Sequence, residues 1–186
     1  MRISTLLFVV VALFAVGVVW GVSMPTNASG AFSEQTEAFR QLAEFIGNLP
    51  VGLMFGFILL KNISAVLFSF VLSPIVLIVP IVSLVMNGWL IGTVSNAVVA
   101  ERSLGYLLAG ILPHGVFELP ALLIGEAAAM SFGIAAMQAV FDRSRREQLT
   151  ITMRLDLKYL AFSLCLLVPA ALMEVFVTPA LLLRSG

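Results

Sequence analysis

His114 and Glu118 stand one helical turn apart in the run Leu112-Pro113-His114-Gly115-Val116-Phe117-Glu118-Leu119-Pro120-Ala121, inside apolar sequence long enough to cross a bilayer. An imidazole and a carboxylate at this spacing share a helix face and can pass a proton, hold a cation or pair with each other. At membrane depth an ionisable side chain costs at least about 2.5 kcal/mol, so it is kept where it faces protein or water and has a task. Further polar residues sit in other apolar runs: Lys61 and Asn62 in one, Asn87 in a second, Glu174 in a third. With His114 and Glu118 they form the candidate intramembrane site, and Pro113, Gly115 and Pro120 mark a break in the helix that carries its centre.

Composition defines what must position these residues. The 186-residue chain is 61% hydrophobic and 11% charged, with a mean hydropathy of +1.11, far too little polar surface for a soluble globule. Several apolar runs reach the ~20 residues that cross ~30 Å of hydrocarbon as a helix, and none shows the alternation of a membrane barrel. The expected fold is therefore all-α, a single polytopic membrane bundle over 1–186 with membrane lipid around it. Cys165 is the one cysteine and lies in an apolar run, so no disulfide framework or Cys-rich metal site is expected.

Five spans are expected. The first, 3–22, follows a single basic residue, Arg2, and no small-x-small cleavage site follows it, which favours a retained helix over a signal peptide. Residues 23–50 then change in character. Pro25, Asn27, Ser29 and Gly30 make a linker, and Phe32, Phe39, Leu42, Ile46 and Leu49 recur at helical spacing behind Ser33, which suits an N-cap. This predicts a short amphipathic external helix. The second span is 51–72 and the third 74–100, with Pro80 as a kink. The stretch 104–141 is 38 residues long; at 1.5 Å per residue that is about 57 Å, almost twice the hydrocarbon thickness. The sequence predicts a break at Leu112-Pro113, with a half-helix over 104–111 and the main helix over 113–141. A charged loop over 142–158 and a last span over 159–183 complete the chain.

The loop 142–158 carries Arg143, Arg145, Arg146, Arg154 and Lys158, whereas 23–50 holds three glutamates and one arginine. Positive residues mark the cytoplasmic side, which predicts a cytoplasmic N-terminus, an external C-terminus and residence in the cell membrane. Measured from the middle of each span, Lys61, Asn62 and Asn87 fall near the midplane, Glu118 roughly 3 Å, Glu174 roughly 6 Å and His114 roughly 9 Å towards the outside. They form one polar layer in this reading. Two carboxylates against Lys61 leave an excess that a proton, His114 or a bound cation must balance. Glu126, nearer the basic side, has a plainer reading beside a functional one, in which it simply reaches water.

Beside this stands the plainer reading that buried asparagines glue helices together. One histidine with scattered glutamates makes no compact metal site. Neither a Ser-His or Cys-His pairing nor His-Glu-x-x-His occurs, so the chain is not expected to be an enzyme and no cofactor is implied. No feature suits nucleic acid. Gly17/Gly21, Gly52/Gly56 and Gly88/Gly92 have the spacing that lets helices approach closely, more than one protomer obviously uses, which predicts a homodimer.

At these residues the chain resembles the stage II sporulation protein M family. The family pattern of an asparagine in the second span, Asn-Gly in the third, Pro-His-Gly-x-x-Glu-Leu-Pro-Ala in the fourth and Glu before Thr-Pro in the last reads here Asn62, Asn87-Gly88, residues 113–121, and Glu174 with Thr178-Pro179. The resemblance runs from about residue 45 to the end. Lys61-Asn62 stands where the family often has paired asparagines. What the resemblance implies is a five-span membrane protein that, in spore formers, acts as the membrane-embedded component beside peptidoglycan-degrading partners in engulfment. A scaffold or anchor for cell-wall-associated proteins is the first functional expectation. A small transporter or channel for a cation, proton or small solute is the alternative.

Overall fold

The computed structural model describes residues 3–24 and 49–185. Helix α1 (Ile3–Val22), α2 (Val51–Leu72), α3 (Ile78–Glu101) and α4 (Leu104–Phe141) are followed by a 3-10 turn (Arg143–Arg145), α5 (Arg146–Leu172), a π-turn (Met173–Val177) and α6 (Thr178–Ser185). No strand occurs among the described residues. Among the described residues, five helical stretches are long and apolar enough to cross a membrane, the last running from the 3-10 turn through α5 and α6. The short amphipathic helix predicted before Pro50 lies outside the described residues.

Three boundaries differ from expectation. Helix α4 is continuous from Leu104 to Phe141, with Pro113 and Pro120 inside it, so there is no break at Leu112-Pro113. Each proline lacks the N–H that would bond four residues back, but membrane helices tolerate this where neighbouring helices hold the chain in place. Here α5 and the start of α6 run antiparallel along α4, with Asp156 of α5 beside Ser131 and Thr178 of α6 beside His114. Pro80 does not kink α3, because the helix begins at Ile78 and the proline occupies the first turn, where its missing N–H has no intrahelical partner to lose. The preceding span boundary at 74 thus moves to the end of an apolar turn over 73–77. Finally, 142–158 is not a loop. Asp142 accepts from the Ser144 amide at 3.0 Å and its hydroxyl at 2.6 Å, closing a one-turn corner, and α5 starts at Arg146. Arginine, glutamate, glutamine and leucine are good helix formers, and charge alone does not end a helix.

Helices α1 and α3 run parallel at close range. A Cβ on Gly17 or Gly21 would strike the Val85 or Trp89 carbonyl, and one on Gly88 or Gly92 would strike the Phe14 or Val18 carbonyl. Two of the predicted glycine pairs therefore mesh with each other, backbone against backbone. Asn96 Nδ2 then donates to the carbonyls of Val22 (3.1 Å) and Met24 (3.0 Å), satisfying acceptors that the end of α1 leaves open. Gly52 and Gly56 have nothing among the described residues within 4 Å of where a Cβ would stand.

Helix α4 is the centre of the bundle. Its stretch 125–130 is buried throughout, with Ala127 and Met130 against Leu6, Val10 and Leu84 of α1 and α3, and Ala128 and Ala129 in the cluster of Val66, Phe70 and Leu160 of α2 and α5. Small residues allow four helices to crowd one. Gly125 meets Val66 and Ser163, and Gly133 meets the Ser73 carbonyl, so neither has room for a methyl group. Outward, Phe8, Leu53, Val71 and Val116 are mostly exposed, an apolar belt that lipid would cover.

Candidate functional site

One polar cluster forms where the first half of α4 meets the π-turn. Glu118 follows His114 by one turn, and His114 Nε2 lies 3.9 Å from Glu118 Oε2, with the two side chains 19% and 30% exposed. On the other side of the ring, His114 Nδ1 faces Thr178 Oγ1 at 3.5 Å. The Thr178 hydroxyl donates to the Met173 carbonyl at 3.2 Å, and the Thr178 amide bonds the same carbonyl five residues back. That wider turn is what seats Glu174 within electrostatic reach of Glu118, His114 and Lys61. Single π-turns recur at functional sites because they re-aim side chains in this way.

Of the predicted site residues, the structure brings together His114, Glu118, Glu174 and Lys61. Lys61 is exposed and Asn62 beside it is buried on α2. Asn87 does not join them: its Nδ2 donates to the Ser83 carbonyl of its own helix at 2.8 Å. The single polar layer is thus two. Gly115 is buried within the unbroken α4, and the exposed Pro120 lies on it as well, so Pro113, Gly115 and Pro120 do not form a break.

The second polar centre was not legible as such. Glu126 is 0% exposed. Ser69 Oγ donates to its Oε2 at 2.5 Å and Ser83 Oγ to its Oε1 at 2.6 Å, joining α2, α3 and α4 at one carboxyl group. The reading in which Glu126 reaches water fails because α2 and α3 close over it, and the two serines replace solvent. Ser163 Oγ adds a bond to the Ala121 carbonyl at 2.6 Å, fixing α5 to α4. Thr178 was also missed as a partner, though the Thr-Pro after Glu174 pointed to that turn.

Chemically the two centres differ. At the His114–Glu118–Glu174 cluster, carboxylates and an imidazole are partly exposed and only loosely paired, which leaves polar atoms open to a cation or a partner's polar group. At Glu126 each oxygen already accepts a hydroxyl, so its hydrogen-bonding is spent on holding helices in register.

Among the described residues, four membrane-spanning helices around a fifth, central, small-residue helix with internal carboxyl groups define an integral membrane protein of the helical class. The chain matches stage II sporulation protein M over residues 4–179 and belongs to that family. The match takes in the first span, which the motif-based resemblance had left out. An uncharacterized protein of Methanocaldococcus jannaschii is 26% identical over 168 residues, 90% of each chain. No solved structure matches significantly.

Proposed function

We propose that the protein is a non-catalytic membrane scaffold that anchors partner proteins, the role that family membership suggests beside cell-wall-degrading enzymes. The observation that carries this reading is the Glu126 clamp: among the described residues the most deeply buried carboxyl group has both oxygens taken by hydroxyls of two other helices. A bundle locked in this way, with α1 and α3 meshed through glycines, is built for a fixed shape rather than for a moving gate. The orientation belongs to the proposal. Leu6, near the start of α1, packs against Ile134 of α4, so the N-terminal end and the Arg143–Arg145 corner lie at the same end of the bundle, which supports a cytoplasmic placing for both. Met24 and Leu49, the described residues on either side of 25–48, then lie at the opposite end, taken in this reading as external and within reach of a cell-wall partner. The free Gly52/Gly56 pair supports a homodimer through α2.

A second reading, a cation or proton transporter, is favoured by the partly exposed His114, Glu118 and Glu174 beside the π-turn. Purified protein in vesicles loaded with a pH-sensitive dye separates the two. The scaffold reading expects no proton, Na⁺ or K⁺ flux above protein-free vesicles, in the parent or in Glu118→Gln. It also expects photo-crosslinkers placed in 25–48 to capture cell-wall hydrolases in cells. Flux in the parent that Glu118→Gln abolishes would replace the scaffold by the transporter.

A further inference from the structure

Among the described residues, a groove of about 460 Å³ opens at the end of the bundle where α4 turns into α5. Its apolar wall is Leu77, from the turn between α2 and α3, with Ile134, Met137 and Phe141 of α4, and its polar wall is Gln138, Asp142 and Arg145. The depth of the groove follows from α2, whose 22 residues span about 33 Å, close to the ~30 Å of hydrocarbon. That helix ends at Leu72, and a Cβ on Gly133 would meet the Ser73 carbonyl, so the level of Gly133 on α4 marks the hydrocarbon edge. Leu77 belongs to this level, since the same Cβ would meet its Cδ1, and Ile134 is the next residue along α4. Gln138 stands five residues past Gly133, roughly 7.5 Å further along the helix, which is within a headgroup layer roughly 5–8 Å thick. The groove thus begins apolar at the hydrocarbon and gains its charge among the headgroups, the order in which a phospholipid changes polarity. Phe141, 86% exposed, adds an apolar ring at the rim.

Arg145 supplies the charge. Its Nε donates to Asp142 Oδ2 at 3.3 Å and its Nη1 to Gln138 Oε1 at 3.0 Å, which fixes the guanidinium plane and leaves further N–H groups for an anion. Asp142 opposes this little, because its Oδ1 accepts from the Ser144 amide and hydroxyl and its Oδ2 from Arg145. Arg143 and Arg146 do not line the groove, but both are exposed and adjoin it in sequence. The corner therefore sets three arginines against Asp142 and Glu147, and the exposed Arg154 and Lys158 extend the excess along α5. A positive excess at headgroup level draws acidic lipid in preference to zwitterionic lipid. A soluble anion would use the arginine without the apolar wall, and an apolar peptide the wall without the arginine. A lipid uses both. We infer that the groove is a site for one acidic phospholipid, its acyl chain against Leu77, Ile134 and Met137 and its phosphate on Arg145, with Phe141 at the rim. The site needs only that the chain spans a membrane, and it is independent of whether the protein is a scaffold or a transporter.

Native mass measurement of the full chain in a neutral detergent tests this, with dioleoyl phosphatidylglycerol or dioleoyl phosphatidylcholine titrated in. The expected result is one phosphatidylglycerol per protomer, with a half-saturation about tenfold below that of phosphatidylcholine. Arg145→Gln should remove the preference, and Arg143→Gln, which deletes the same charge outside the groove, should change it less. Met137→Ser combined with Phe141→Ser, both exposed positions, should raise the phosphatidylglycerol half-saturation about tenfold with the charge unaltered. Inorganic phosphate at constant ionic strength should not displace the lipid. Equal half-saturation of the two lipids in the parent overturns the site, and so does displacement by phosphate, which would make it a site for a free anion. Unchanged binding in the Met137→Ser, Phe141→Ser chain overturns it too, leaving only attraction to a basic surface. Equal effects of Arg143→Gln and Arg145→Gln reject Arg145 as the phosphate ligand. A dimeric mass that the double change converts to a monomer gives the groove to a second copy and overturns the lipid. If Arg145→Gln does not fold, the parent comparison and the double change still decide.

Discussion

Replacing Glu126 by alanine removes the common acceptor of two buried hydroxyls and the four heavy atoms that fill the junction of α2, α3 and α4. Each interhelical hydrogen bond in a membrane is worth about 0.6 kcal/mol on average and up to about 1.7, so the two bonds contribute roughly 1–3 kcal/mol. The void adds a cavity cost of about 2–5 kcal/mol, as for other large-to-small changes in packed cores. Serine hydroxyls can turn back to the carbonyl four residues earlier, which recovers part of the first contribution. A loss of about 4 kcal/mol is expected for Glu126→Ala. Glu126→Gln should cost about 1 kcal/mol, because the amide oxygen still accepts from one serine while the amide nitrogen donates to the other. Reversible unfolding in mixed micelles, with tryptophan fluorescence as the probe, measures both. In a double-mutant cycle, Ser69→Ala should cost much less in Glu126→Ala than in the parent. A Glu126→Ala protein within about 0.5 kcal/mol of the parent would refute the clamp, since a change that small belongs to surface positions.

Four further outcomes follow. Cysteine at Ser29 should react with an impermeant maleimide added outside cells and cysteine at Ser144 should not; the reverse pattern would invert the topology. Gly88→Val should destabilise the bundle by at least about 3 kcal/mol, because its side chain would meet the Phe14 carbonyl, and unfolding in micelles reports it. By contrast, Gly52→Val with Gly56→Val should leave that stability unchanged and convert the proposed homodimer to a monomer by native mass measurement; a parent that is already a monomer, or an unaltered mass, would remove this interface. The carboxyl of Asp142 is held below the ordinary Asp range by the Ser144 hydroxyl first and its amide second, so its support of the corner is present above the unfolded value of about 3.9 and is lost as pH falls through the lower folded value. Protection of the Ser144 amide, corrected for intrinsic exchange, should follow that sign and disappear in Asp142→Ala at all pH values.

Helical membrane class and the number of long helices were legible because they depend on apolar run length, which any window of sequence exposes. Local spacing was equally readable: His114 with Glu118, and the glycine pairs. Partner choice was not. Ser69 and Ser83 lie 57 and 43 residues from Glu126, and nothing near any of the three says that they meet. Proline rules from soluble helices placed a break at Leu112-Pro113, but the packing of α5 along α4 outweighs one absent bond. Charge density made a loop of 142–158, whereas hydrogen bonds along the helix and the inward-facing Asp156 decide otherwise. Asn87 was assigned by depth alone, and depth does not give the direction in which a side chain points.

The parallel meshing of α1 with α3 sets the order in which the chain can assemble. Helix α1 packs on α3 and α4, so the hairpin of α1 with its sequence neighbour α2 is not a folding unit. During synthesis α1 enters the bilayer with no partner until Gly88 and Gly92 have followed it, some seventy residues later. Throughout that interval Gly17 and Gly21 present bare backbone to lipid, and any other membrane helix with small residues competes for the same groove. Arrival of α3 closes it, and Asn96 seals the end by bonding the last carbonyls of α1. A chain cut after α2 would therefore retain α1 as an unattached helix, open to capture by foreign helices and to membrane proteases.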